Sequence, residues 1–273
     1  MPALPLLVLL GLATALIGTL GGIGGAVLLV PVLVLLGVDP KLAAPLGILS
    51  VAAGSLAAAP RQLDEGVVHH RLGITLEITG SAGALVGALG SDLVPDSMLT
   101  RALAVIAVVA ALAGGRRKGI RNQPQPAFAS ERLGEWPGTL GGTYRLGDEV
   151  VPYQARRLPT GLAAMLGAGL VSGVAGVGGG FIKTPTMSEV MHVPVKVAAA
   201  TSTFTVGITA ATSLIVFAGQ GRIDLRAGAA VVVGGLVGGF VGSRLQQRLR
   251  PAHVRTFLSV ALVLIGVILF VRA

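Results

Sequence analysis

The chain carries one hydrophobic motif twice, and the residues that repeat are those that break or crowd a helix. Gly22-Ile23-Gly24-Gly25-Ala26 leads through an apolar stretch to Pro31, Pro40 and Ala44, while Gly176-Val177-Gly178-Gly179-Gly180 leads to Pro185, Pro194 and Ala198. A shift of 154 residues superposes these positions without a gap. The match resumes at a shift of 155, with Gly66/Gly221, Arg71/Arg226, Gly73/Gly228, Gly80/Gly235, Gly83/Gly238 and Gly87/Gly242. It continues at 156 with Pro95/Pro251 and Thr100/Thr256. What was duplicated is a set of backbone breaks and close helix contacts. In an apolar chain, two Gly/Pro-interrupted segments at matching places point to a transporter binding site.

The surroundings of the motif are those of a membrane protein. Charged residues make up 12% of the chain, about half the share usual in a soluble domain. Residues 3–38, 42–60, 78–91 and 102–115 hold no charge at all, and a bilayer asks for roughly 20 apolar residues per helix. The fold class is therefore all-α, a polytopic helical membrane protein. Its 41 glycines would weaken soluble helices, but in lipid they let backbones approach. Gly83-Gly87, Gly234-Gly238 and Gly238-Gly242 have the small-xxx-small spacing that does this. Such faces suit a homodimer as well as internal packing. With no cysteine in the chain, disulfides and thiol chemistry are excluded. The first segment lacks the basic start of a signal peptide and reads as retained. The net charge of +9 does not imply nucleic acid, because the cations gather at helix ends and in one central loop, where they orient a membrane protein.

Each half divides into five apolar segments: 3–20, 22–38, 42–60, 72–92 and 97–114, then 158–174, 176–191, 196–218, 226–246 and 253–271. The first two segments of each half are separated only by the glycine cluster, as a tight hairpin or one broken helix. The organisation is a first transmembrane repeat over 1–114, a cytoplasmic linker over 115–157 and a second repeat over 158–273. The linker opens with Arg116-Arg117-Lys118 and Arg121, contains Gln123-Pro-Gln-Pro and closes with Arg156-Arg157, so it belongs inside. The loop with Arg61, His69, His70 and Arg71 then falls inside, as does the turn with Arg244, Arg248, Arg250 and Arg255. Asp92, Asp96 and the turn Gly221–Asp224 fall outside. An odd number of crossings per half satisfies this pattern and inverts the two halves in the membrane, with the two glycine motifs facing each other near the midplane.

The second motif, Gly176-Val-Gly-Gly-Gly-Phe-Ile-Lys-Thr-Pro185, followed by Val193-Pro194 and Ala198-Ala-Ala-Thr201-Ser202, resembles the signature of the sulfite exporter TauE/SafE family. The first half repeats it in Gly22 to Pro31, and Gly-x-Ile-Asp over Gly221–Asp224 is similar to the family's external turn. The resemblance covers nearly the whole chain apart from the central insert. It implies a carrier of sulfur-containing or other organic anions. Ala43-Ala44-Pro45-Leu46-Gly47 stands where the family carries a Thr-Ser pair, so the second half is expected to be the more polar.

A glycine cluster followed by proline frees backbone groups that lipid tolerates only where they line a cavity or are buried in protein. A helix starting there presents N–H groups and a positive dipole end to an anion. The candidate substrate-binding residues are Gly22, Gly24, Gly25, Gly176, Gly178, Gly179 and Gly180, with Lys183, Thr184, Thr201 and Ser202 as side-chain donors. An intramembrane lysine is a functional-site candidate by default. Lys183, matched by Leu29 in the first half, has three readings: contact with the anion or gating, snorkelling to an interface, or pairing with Glu189. The hydroxyls serve the anion or helix–helix hydrogen bonds.

Other constellations carry less. The glycine motif lacks the strand–helix setting of a dinucleotide site. Glu189-x-x-His192 occurs once where a di-iron site needs two such pairs. His69-His70 reads as a solvated helix cap, with proton coupling as the alternative. No cofactor or metal is expected, nor an enzyme. Without a Walker sequence the energy source is an ion gradient, of protons or sodium. The chain reads as a secondary transporter of small anions, sulfite or organosulfonates, working by alternating access in the plasma membrane. The alternatives are an anion channel and a membrane accessory subunit docked through the insert.

Overall fold

The computed structural model describes residues 1–22, 24–115, 133–146, 149–245 and 251–272. The cations at 116–118, 121, 248 and 250 and the Gln123-Pro-Gln-Pro stretch lie outside the described residues. The first half contains α1 (Leu4–Gly21), α2 (Ala26–Leu35), α3 (Pro40–Asp64), α4 (His70–Gly90) and α5 (Asp96–Gly115). The second contains α6 (Leu158–Ala175), α7 (Gly180–Pro185), α8 (Val195–Gly219), α9 (Leu225–Leu245) and α10 (Pro251–Arg272). A π-helical turn over Thr186–Val190 prolongs α7. Among the described residues, five of these helices (α3, α4, α6, α8 and α9) are long and apolar enough to cross a membrane. Their outward faces carry Leu56, Ile78, Ile215 and Val233, all exposed, as a lipid environment requires.

The glycine and proline positions fix these boundaries. Pro40 and Pro251 open their helices, where the missing N–H costs nothing. Asp39 caps α3 by accepting from the Lys41 amide at 2.7 Å, the favoured role for an aspartate there. The Gly22 and Gly176 turns stop α1 and α6 and let the chain fold back into α2 and α7. The motif is thus a hairpin-like break, one of the two forms expected.

Packing between the halves is reciprocal. α1 lies along α9 and α6 along α4; α3 meets α9 and α8 meets α4; α3 pairs with α8 and α5 with α10. The predicted small-residue faces make the closest of these contacts. Gly234, Gly238 and Gly242 meet the backbone of Val8, Leu12 and Leu16 in order, and Gly83 and Gly87 meet that of Leu166 and Leu170. Both pairs therefore run parallel. α3 and α9 also advance together, since Gly235 abuts Ser50 and Gly239 abuts Gly54. α3 and α8 run oppositely: Arg222, just after α8, bonds the Lys41 carbonyl at the start of α3, while Thr201, near the start of α8, accepts from the His69 amide beyond the end of α3. The small-residue stripes are buried within one chain and do not offer themselves to a second copy.

The interval read as a linker holds a three-stranded antiparallel sheet, β1 (Gly134–Glu135), β2 (Gly141–Leu146) and β3 (Glu149–Gln154). It was not expected, because glycines and prolines in 115–157 masked the short alternation of Thr143-Tyr144 and Val151-Tyr153. Tyr144 and Tyr153 pack with Leu72, Met165, Met191 and Val197 in one apolar cluster. The sheet is thereby seated on the ends of α4, α6 and α8.

Candidate functional site

Gly22 and Gly176 take the same left-handed conformation, φ 63° and ψ 26° against φ 71° and ψ 18°. Residues with a Cβ avoid this region. Space forbids one as well: a Cβ on Gly22 would lie 2.6 Å from the Cβ of Ala199, and one on Gly176 would lie 2.6 Å from the Cβ of Ala44. Each break is wedged against the third helix of the opposite half. Gly24 and Gly178 also agree, at φ 80° and 78°. The third glycine departs from the symmetry, since Gly25 is right-handed and Gly179 left-handed. The second break is the more irregular, running from Gly176 through the six-residue α7 into the π turn.

A narrow cleft opens beside the first break. Gly18, Thr19, Gly22, Gly24 and Gly25 form one wall, Ser50, Val51, Gly54 and Ser55 of α3 a second, and Ser202, Thr203 and Val206 of α8 a third. The cleft has room for roughly one or two water molecules. Gly25, the residue that leads into α2, is on its wall, so the cleft reaches the amino end of that helix. The hydroxyls of Ser50 and Ser202 are fully buried and have no hydrogen-bond partner. Unpaired buried hydroxyls are costly, and two of them in one cleft mark a place where polar atoms are expected to arrive. Ser55 instead donates to the Thr203 carbonyl, tying α3 to α8.

The candidate residues separate into groups. Gly22, Gly24, Gly25 and Ser202 line the cleft, and Gly178 stands behind Val51 and Val206 on its far side. Gly176 and Gly179 are buried against Ala44 and Ala168. Gly180 opens α7, buried. Thr184 donates its hydroxyl to the Gly22 carbonyl, joining the two breaks directly. Thr201 is turned away and caps the α4 start by accepting from the His69 amide at 2.9 Å.

Lys183 neither snorkels nor meets Glu189, which is exposed. It is fully buried, with its Nζ 2.6 Å from Oε2 of Glu77 on α4 and within bonding reach of the Thr209 hydroxyl on α8. Thr209 also donates to the Glu77 Oε1 side, and Ser81 donates to Oε1 at 3.0 Å. Ser50, Ser55, Glu77 and Thr209 were not among the expected residues. Glu77 was detectable in principle: it is the lone carboxylate of α4, as Lys183 is the lone ammonium of the segment 176–191.

At the sheet-bearing end, His69 caps α4 as expected but is buried rather than solvated. Its Nδ1 lies 3.0 Å from Oε2 of Glu135 in β1. The Leu72 amide approaches the same nitrogen at 3.3 Å; Nδ1 can accept from that amide or, when protonated, donate to the carboxylate, but not both at once. Burial pulls His69 below its ordinary pKa, against the opposing attraction of Glu135. At the other end, Arg222 bonds Asp92 at 3.2 Å, Ser91 at 2.6 Å and the Lys41 carbonyl at 2.6 Å. The His69 loop and the central interval, both assigned inside by charge, thus meet each other, and so do the Asp92 loop and the Gly221–Asp224 turn, both assigned outside.

Apolar spanning helices arranged around paired helix breaks define a multi-pass membrane protein with the architecture of a transporter. Residues 7–269 match the family described as sulfite exporter TauE/SafE, and the chain belongs to that family. It is similar to the probable membrane transporter protein YunE of Bacillus subtilis (strain 168), at 24% identity over 271 residues, covering 96% of this chain and 95% of that protein. No solved structure matches it.

Proposed function

We propose that this membrane transporter is a secondary carrier of small anions, sulfite or organosulfonates in class, working by alternating access in the plasma membrane. The observation that carries the reading is the cleft at the first break, where the buried hydroxyls of Ser50 and Ser202 stand unpaired beside the start of α2. Oxyanion oxygens are acceptors and would take both hydroxyl protons beside the positive amino end of α2, without a fixed positive side chain. The family's description as a sulfite exporter supports the substrate class.

The two halves act as inverted repeats, rocking about the cleft. Support comes from the helix directions, since α3 and α8 occupy equivalent places and run oppositely, and from the reciprocal wedging of Gly22 on Ala199 and Gly176 on Ala44. A cleft with room for one or two waters favours a carrier that must open over a channel with a standing pore. The test is uptake into proteoliposomes of labelled sulfite, thiosulfate, sulfoacetate and acetate. Saturable uptake with counterflow is expected for one or more of the sulfur anions. Linear, non-saturating flux would indicate a channel, and no flux of any of them would overturn the reading.

A further inference from the structure

The buried pair Lys183–Glu77 lies outside the cleft but is joined to it twice. Thr184, next to Lys183, donates to the carbonyl of cleft residue Gly22. Thr209 shares α8 with cleft residue Ser202, seven residues away and about 10 Å along the helix. The pair also has no counterpart under the repeat: the position matching Lys183 is Leu29, and that matching Glu77 is Val232. Packing alone is satisfied by aliphatic side chains at those places, so the charges are not what the fold requires there.

We propose that Glu77 is the site of the coupling proton, and that proton uptake there accompanies anion entry into the cleft; this rests on the carrier reading above. Together Lys183 and Glu77 are neutral. A monovalent anion brings one negative charge into a low-dielectric interior, where an uncompensated charge is expensive. One proton from the aqueous phase, taken onto the carboxylate, turns Glu77 into a neutral acid and leaves the Lys183 ammonium to balance the anion. The sum returns to neutrality and no other reactant is needed. Loss of the Glu77 charge also frees Lys183, and with it α7, whose Thr184 holds the first break.

The geometry favours a proton over sodium. Oε2 of Glu77 is taken by the Lys183 ammonium, and Oε1 by the hydroxyls of Ser81 and Thr209. A metal cation needs a cage of oxygens with free lone pairs, and the place it would take is already held by the ammonium. Among the described residues no other ionisable group faces the pair. α6 has none; His70, at the start of α4, is half-buried against Glu135 at 3.7 Å; and Arg71 on α4, Asp92 beyond it, Asp96 and Arg101 on α5, Glu189 in the π turn and Lys196 on α8 are all exposed.

The experiment uses purified protein in proteoliposomes loaded with a pH-sensitive dye, with labelled methanesulfonate and ethanesulfonate as probes, monovalent anions that do not titrate near neutral pH. Each probe is tested for counterflow at equal pH, then for accumulation under an imposed proton or sodium gradient. Wild-type accumulation should follow the proton gradient, and anion entry should shift luminal pH. In Glu77→Gln the ratio of gradient-driven accumulation to counterflow should fall at least tenfold. Should that variant fail to fold, Lys183→Met combined with Glu77→Leu takes its place, and its ratio should fall likewise. Sodium-driven accumulation, an unmoved luminal pH during anion entry, or a Glu77→Gln ratio equal to wild type would overturn the proton site while leaving the carrier intact. Absence of counterflow for every anion in wild type would instead overturn the carrier reading itself, and the proton site with it.

Discussion

The hydroxyl of Thr184 donates to the carbonyl oxygen of Gly22, 162 residues earlier in the chain. Gly22 is left-handed and its carbonyl lies at a helix end, where acceptors have lost their intrahelical partner. The bond therefore closes one break with a side chain from the other. Thr184→Val keeps shape and removes the donor, leaving a buried carbonyl unsatisfied. It should cost about 1–3 kcal/mol, read as a lower melting temperature in detergent, whereas Thr184→Ser should stay near wild type.

Left-handed glycines in this chain are not equally constrained. Gly176 has φ 71° and is wedged against Ala44, while Gly37 has φ 83° and open space around it. Gly37→Ala should cost about 1–2 kcal/mol, the conformational term alone. Gly176→Ala adds overlap with backbone that cannot move freely, about 1–3 kcal/mol more. Denaturation midpoints for the two variants measured side by side check the difference, which should be largest at Gly176.

Ser50 and Ser202 separate binding from stability. Their hydroxyls have no partner in the folded chain, so Ser50→Ala and Ser202→Ala should leave the melting temperature unchanged or slightly raised. A hydrogen bond to a charged group contributes about 1.5–3 kcal/mol, so each variant should raise the half-saturating anion concentration at least roughly tenfold. A fall in stability with unaltered transport would make them packing residues.

Lys183 and Glu77 should be strongly non-additive. Lys183→Met alone leaves a buried carboxylate without its counter-ion, a loss of about 3–5 kcal/mol. Lys183→Met combined with Glu77→Leu replaces the pair by the aliphatic character found at Leu29 and Val232, and should restore most of the stability. Thermal melts of the four proteins complete the cycle. A double-variant loss equal to the sum of the two single-variant losses would show that the pair is not coupled.

Most of the helical layout was legible because it is written in local terms. Apolar runs bounded by Gly22, Pro40, Gly66, Gly176 and Pro194 mark ten segments, and the helices begin and end within a few residues of them. The faces Gly83-Gly87 and Gly234-Gly238-Gly242 were legible for the same reason, since small residues at i, i+4 have few other uses in lipid. The sheet over 134–154 was not, because strands of two to six residues among glycines leave little periodicity. Nor was the partner of Lys183. Glu77 lies 106 residues away, and the register that brings them together is set by the contact of Gly80 and Gly83 on α4 with α6, which no one-dimensional pattern encodes.

The sheet provides the last prediction, since its seating depends on a histidine. His69 is buried, with its Nδ1 on Glu135 and its ring edge-on to Tyr153 at 5.9 Å. Burial is the largest influence and lowers its pKa from the ordinary 6.5, with Glu135 opposing. The seated state therefore binds a proton more weakly than the released one. Its contribution is complete above pH 6.5 and is lost as pH falls from there through the lowered value. Hydrogen exchange across Gly141–Gln154, corrected for intrinsic rates, should speed up near pH 5 relative to neutral pH. His69→Asn, which cannot titrate, should flatten that dependence. Protection that rises on acidification would mean that the attraction of Glu135 outweighs burial and that protonation tightens the seat.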